Sequence, residues 1–236
     1  MTPVTFGNWL RQALMLVSRA PLLWVGCTLF IGLLLGIQRV SLALGIFLAV
    51  TSLFVGVGIA KYIDLKSSGA TSLSFYGAIV RSLPLAVLAA GCMVICWFVF
   101  RAAANIYSGE LYKIGQFFFY WELTAEHLGD KSMYRIAGWL YAPAMITLLF
   151  ILLMLTSFAS WFSYPLMLFK NYSWSQAKQQ GNTASINNQA AMYKLLAFVF
   201  AAAFIGTGII PLLTPVLYML VSTLIYVSYK TVFESA

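Results

Sequence analysis

LLAFVFAAAFIGTGIIPLLTPVLYMLVSTLIYVSY, residues 195–229, carries no charged side chain from end to end. As one helix, about 35 residues would run roughly 50 Å, against a bilayer hydrocarbon core of about 30 Å. Gly206, Gly208, Pro211 and Pro215 fall near its middle, so IGTGIIPLLTP reads as the tight turn of a hairpin between two crossing helices. Uncharged blocks recur from Ala20 to Gln38, from Val40 to Ala60, between Arg81 and Arg101, and from Ile136 to Phe169. The last is also too long for a simple span. With Pro143 and Pro165 bracketing its centre, it predicts a long or tilted helix with a broken end.

The expected fold is therefore all-α: a polytopic transmembrane helical bundle forming a single integral membrane domain over residues 1–236. Six spans are predicted at 21–38, 41–61, 83–104, 138–162, 194–210 and 212–229. An outer loop covers 105–135 and an inner polar segment covers 170–193. Hydrophobic residues make up 62% and charged residues 8%, which leaves no stretch for a separate soluble domain. The net charge of +8 is spread between spans, the pattern of loops that meet anionic headgroups, so nucleic acid is excluded as a partner. The first twenty residues lack a basic start before an apolar core, and no cleaved leader is expected.

Counting basic residues orients the bundle. Arg11, Arg19, Lys61, Lys66, Arg81, Lys170, Lys178, Lys194 and Lys230 lie on one side, and Arg39, Arg101, Lys113, Lys131 and Arg135 on the other. The excess predicts both termini in the cytoplasm. Asp64 and Glu234 fall inside, while Glu110, Glu122, Glu126 and Asp130 fall outside.

Three inner segments precede pairs of spans. TFGNWLRQALMLVSRAP places Phe6, Trp9, Leu10, Ala13, Leu14 and Val17 at helical spacing, predicting an interfacial amphipathic helix with Trp9 at headgroup depth. TSLSFYGAIVRSLP offers Thr71 or Ser72 as an N-cap. In NYSWSQAKQQGNTASINNQAAMYK, Trp174, Ala177, Gly181 and Ala184 form a stripe. The pattern predicts a threefold repeat of one amphipathic helix and two spans.

The run WLRQALMLVSRAPLLWVG, the stretch YSWSQAKQQGNTASINNQAA and the ending LYMLVSTLIYVSYKTVFE resemble the six-span bacterial inner-membrane proteins of the YciC type and relatives. The matching positions are Trp9 with Gln12 and Ala13, Trp174 with Ala177, and Tyr226, Tyr229 and Phe233. Residues 171–193 are less basic than the corresponding helix of that family. The resemblance implies a location in the bacterial inner membrane, but the family has no settled activity to carry over.

No catalytic signature is present: GxSxG, HExxH and a phosphate-cradling loop are all missing. No acid lies within a predicted span, which argues against proton-coupled transport. Glu122 and Glu126 share a helical face beside His127, the chain's single histidine. A metal site needs more ligands than that, so no metal and no cofactor is expected. Cys27, Cys92 and Cys96 read as buried thiols. Gly32 and Gly36 form GxxxG, and Gly56, Gly58 and Ala60 a second small-residue face; both predict close helix packing without naming an oligomeric state.

The leading expectation is a non-enzymatic accessory, scaffold or assembly subunit that binds membrane lipid and another membrane protein. Its contact residues would be Trp9, Arg11, Arg19, Lys170, Trp174 and Lys178 on the inner side, and Phe117, Phe118, Phe119, Tyr120 and Trp121 in the outer loop. The competing expectation is a small transporter or lipid-handling protein. It would need a polar cavity reached by Asn105, Thr147, Ser157, Ser160, Ser163 or Thr214, hydroxyls that equally bond back to their own helix. An immunity-type protein acting against a membrane toxin would read identically.

Overall fold

The computed structural model describes residues 5–69, 74–110, 113, 117–118 and 132–234. Every regular element among them is helical: α1 (Phe6–Arg19), α2 (Pro21–Gly36), α3 (Leu42–Ser67), α4 (Phe75–Tyr107), α5 (Met133–Ser157), α6 (Ser163–Lys170), α7 (Trp174–Asn187), α8 (Gln189–Phe204) and α9 (Thr214–Phe233). A 3₁₀ turn, Ile37–Arg39, extends α2, and a π turn, Ile205–Ile209, extends α8. Among the described residues six helices are long and apolar enough to cross a membrane, and the chain is a multi-pass helical bundle.

Alternation of the crossings gives the bundle two ends. α1, the α3–α4 connection, α6, α7 and the C-terminus lie at one, the N-terminal face. The α2–α3 turn, the α8–α9 hairpin, the C-terminal end of α4 and the N-terminal end of α5 lie at the other, the opposite face.

Local chemistry explains the element boundaries. Pro21 sits in the first turn of α2, where no amide hydrogen is missed. Ser41 caps α3 by accepting the Leu44 amide at 3.3 Å. Asn171, left-handed at φ 53°, ends α6, and a capping box of Ser173 and Gln176 opens α7 three residues later. In the α8–α9 hairpin a side chain at Gly206 would place its Cβ 2.3 Å from Met145 Cε. A larger residue there would have to displace the Met145 side chain of α5.

Three expectations need correction. Ser74 rather than Thr71 or Ser72 caps α4, accepting the Gly77 amide at 3.0 Å; residues 71 and 72 lie outside the described residues. The segment before the third span is not a separate interfacial helix, because α4 runs unbroken from Phe75 through Pro84 to Tyr107. The middle unit of the supposed repeat thus lacks its amphipathic helix. The fourth crossing ends at Ser157, five residues before the expected 162, and the chain folds back over Phe158–Phe162 into α6.

α3 and α9 form the centre. Ser222 of α9 donates to Leu53 O of α3 at 2.8 Å, and beside it a Cβ on Gly56 would lie 2.7 Å from Ser222 Oγ. Tyr218 donates across to Ala144 O of α5 at 2.7 Å. α4 lies at the edge. Among the described residues it packs mainly on α3, through Ser82, Ala86 and Ala90, and touches α5 where Trp97 and Phe100 meet Phe150. Small residues allow that close approach: a Cβ on Gly58 would stand 3.0 Å from Ser82.

Candidate functional site

A polar node occupies the N-terminal face. Asp64, in the last turn of α3, accepts from Tyr226 Oη at 2.7 Å and from Lys230 Nζ at 2.5 Å. Arg19, at the end of α1, lies 3.5 Å from its other oxygen and donates to Ser67 Oγ at 3.0 Å. One carboxylate therefore ties α1, α3 and α9 together. Its oxygens are mostly shielded from solvent while both cations stay about half exposed, so the charges keep much of their hydration and the node costs little to bury. A cavity of 150 Å³ lies beside it, lined by Gln12, Arg19, Asp64 and Lys230. The same face carries a second ion pair, Lys61 to Glu234 at 3.5 Å, with Lys61 Nζ 4.1 Å above the Phe169 ring.

The second feature, among the described residues, is a lateral cleft between α4 and α5, beside which α4 leans mainly on α3. Its larger chamber, 530 Å³, is lined by Leu85, Leu88, Ala89, Cys92, Met93 and Cys96 of α4, facing Met154 and Leu155 of α5 and Met167 of α6. The lining is almost wholly apolar. Tyr164, at its N-terminal end, donates to Ser82 O at 3.3 Å; burial pushes its hydroxyl pKa up, so it stays a donor. A smaller chamber of 350 Å³ lies toward the opposite face, between the same two helices and the α2–α3 turn, and Gln38, Arg39, Arg101 and Thr147 line it. Trp97 of α4 and Phe150 of α5 meet edge to face at 4.7 Å, in the stretch of each helix that separates the two chambers.

The residues expected to make external contacts divide. Trp9 is not at the headgroup surface. It is 0% exposed, packed with Ala13 and Leu16 where α1 lies on α9, α3 and α8. Bundle packing outcompeted the interface for its ring. Phe117, expected to face lipid or a partner, is 3% exposed and stacks near Phe98 at 5.6 Å. Phe118 is partly exposed, and its carbonyl accepts from Ser41 Oγ at 2.7 Å. Phe119, Tyr120, Trp121, Glu122, Glu126 and His127 lie outside the described residues.

Arg11 is exposed on α1, and Lys170 reaches the Phe233 carbonyl at 3.5 Å. Trp174 is 52% exposed and borders the apolar chamber, and Lys178 is half-buried. Gly32 faces Pro215 and the Tyr141 hydroxyl, Gly36 faces Leu140, and Ala60 is buried in α3. Cys92 and Cys96 are exposed rather than buried, since they sit on the open side of α4.

The six polar residues proposed for a transport cavity do not converge. Thr147 bonds back to Pro143 O at 2.9 Å, and Ser160 and Ser163 pair with each other at 3.0 Å. Ser157 is exposed and Thr214 is buried without a partner. Among the described residues, no group of three or more His, Cys, Asp or Glu side chains could hold a metal ion.

Sequence reasoning counted Asp64 only as an inner-side acid, and it missed Gln38 and the cleft. The one available signal was Asp64 itself, a lone acid four residues beyond an apolar block with Lys61 and Lys66 flanking it. No protein-family model, curated protein or solved structure matches this chain.

Proposed function

We propose that the protein is a non-enzymatic, lipid-handling membrane protein that admits a lipid sideways into the cleft between α4 and α5. The observation that carries this reading is the 530 Å³ apolar chamber, bounded by a helix that, among the described residues, packs mainly on one neighbour. An apolar cavity of that size inside a soluble fold stays dry or takes an apolar ligand. Here the open side adjoins hydrocarbon, so the occupant is an acyl chain. The basic-residue count and the resemblance to the YciC-type family support placement in a bacterial inner membrane with both termini cytoplasmic.

Filling the chamber tests the reading. Native mass spectrometry of the detergent-purified chain is expected to retain lipid adducts, and Ala89→Trp is expected to abolish them while leaving the melting temperature near that of the wild type. Adducts that survive Ala89→Trp in a folded protein overturn the cleft as the lipid site.

A second reading, the accessory subunit, is supported by α7. Its exposed face carries Gln176, Gln179, Gln180, Asn182 and Thr183, and its one charged residue is the half-buried Lys178. A helix that binds anionic headgroups carries Lys and Arg on that face, so this amide-rich surface suits a protein partner better. Affinity purification from native membranes, repeated with Gln179→Glu and Gln180→Glu together, tests it. A stoichiometric partner lost in the double variant is expected, and a chain that purifies alone sinks this reading.

A further inference from the structure

The smaller chamber has features that the apolar cleft alone does not explain. Arg39 is held in place: its Nε donates to Trp139 O at 2.6 Å and its guanidinium lies 4.8 Å over the Trp139 ring. Arg101, on α4, lines the same chamber from the other wall, and its side chain is exposed. Gln38, 1% exposed, donates Nε2 to Thr147 Oγ1 at 3.1 Å. Its Oε1 is a buried acceptor without a donor. Such an atom is costly unless a ligand or water supplies one. Two guanidiniums and an acceptor therefore sit at the polar end of a cleft whose other end is hydrocarbon-like.

The geometry points to this chamber as the headgroup site of an anionic phospholipid with a hydroxylated headgroup, the phosphate beside Arg39 and Arg101, a headgroup hydroxyl donating to Gln38 Oε1, and one acyl chain running past Trp97 and Phe150 into the apolar chamber. Guanidinium forks suit phosphate oxygens in two-bond contacts. Arg101 stands five residues from Cys96 and nine from Cys92 along α4, roughly 7 and 14 Å at helical rise. One leaflet's hydrocarbon is about 15 Å deep, so a chain anchored at Arg101 reaches both thiols without crossing the midplane. Net charge decides the headgroup class, since a quaternary amine would meet the same two arginines that bind its phosphate.

This inference rests on the cleft reading, and one experiment separates the two. The full chain in detergent is mixed with equimolar phosphatidylglycerol and phosphatidylcholine of identical tails, and the adducts are weighed by native mass spectrometry. The expected preference for phosphatidylglycerol is about five-fold, the contribution of Arg101. Arg101→Gln is expected to lower it about five-fold, and Arg101→Lys to keep most of it. Arg101 is exposed on an edge helix, so both variants are expected to fold, and their melting temperatures confirm it. Equal binding of the two lipids, still abolished by Ala89→Trp, overturns the headgroup assignment and leaves the cleft reading standing. An unchanged preference in Arg101→Gln also overturns the assignment. Adducts indifferent to Ala89→Trp overturn both.

Discussion

α9 and α4 are both membrane-crossing helices, and they sit at the extremes of the bundle. α9 belongs to the least apolar of the six crossings, yet 72% of its membrane-spanning window is buried inside the protein; α4 is among the most apolar, and only 17% is buried. In water that order would be reversed. Inside a bilayer, lipid tails are as apolar as leucine, so hydrophobicity does not sort helices between the protein interior and the lipid. Hydroxyls do. Tyr218, Ser222, Tyr226 and Ser228 of α9 make hydrogen bonds to α5, α3 and the segment after α5, bonds that hydrocarbon could not replace. α4 offers small residues to α3, aromatic contacts to Phe150 of α5 and to Phe117, and mostly apolar side chains elsewhere. That is why the cleft opens beside it.

The largest expected effect lies at the centre. Gly56→Leu would drive a side chain into Ser222, whose Oγ and Cβ already stand 2.7 and 2.8 Å from the Cβ position. Forcing α3 and α9 apart also breaks the Ser222–Leu53 bond. The expected loss is about 3 kcal/mol or more, read as a collapse of folded yield and a lower melting temperature in detergent. A variant that melts like the wild type would mean that the α3–α9 seam is not the core of the bundle.

Next comes the node at the end of that seam. Asp64→Ala leaves Tyr226 Oη buried without its acceptor and removes the carboxylate that Lys230 and Arg19 share. A loss of about 2 kcal/mol is expected, smaller than for an enclosed ion pair because both cations remain half in solvent. A double-mutant cycle with Tyr226→Phe should show coupling of about 1 kcal/mol; strict additivity would disprove the shared node. Ser228→Ala removes the acceptor of Trp161 Nε1, a bond of 2.9 Å. About 1 kcal/mol is expected from that change, checked by the same melting assay.

This comparison also shows what the sequence could disclose. All six crossings were legible, because charge-free length is a local property and each block announces itself. The hairpin at 205–215 was legible for the same reason, with two glycines and two prolines inside one run. Which helix is central was not legible. The bond from Ser222 to Leu53 joins residues 169 positions apart, and Asp64 finds Tyr226 and Lys230 at separations of 162 and 166. Gln38 was read as the end of an apolar block, and its partner Thr147 lies 109 residues on. Trp9 misled for a related reason: an aromatic on an amphipathic helix suits the headgroup region and a packed interior equally well, and only tertiary contacts decide between them.

The smallest effect is the sharpest test of the contrast. Gly91 lies in the middle of α4, and a Cβ there would meet nothing within 4 Å. Gly91→Leu is the same substitution as at Gly56, in the interior of another membrane-crossing helix. At Gly91 nothing has to move, and leucine is a better helix former than glycine by roughly 0.8 kcal/mol or less. The melting temperature should hold or rise slightly. If α4 were instead a packed member of the bundle, leucine would clash and the protein would lose stability as it does at Gly56. Opposite signs for one substitution on two helices would establish that α3 works against protein and α4 against lipid. Equal losses would close the cleft, and the proposals built on it would fail together.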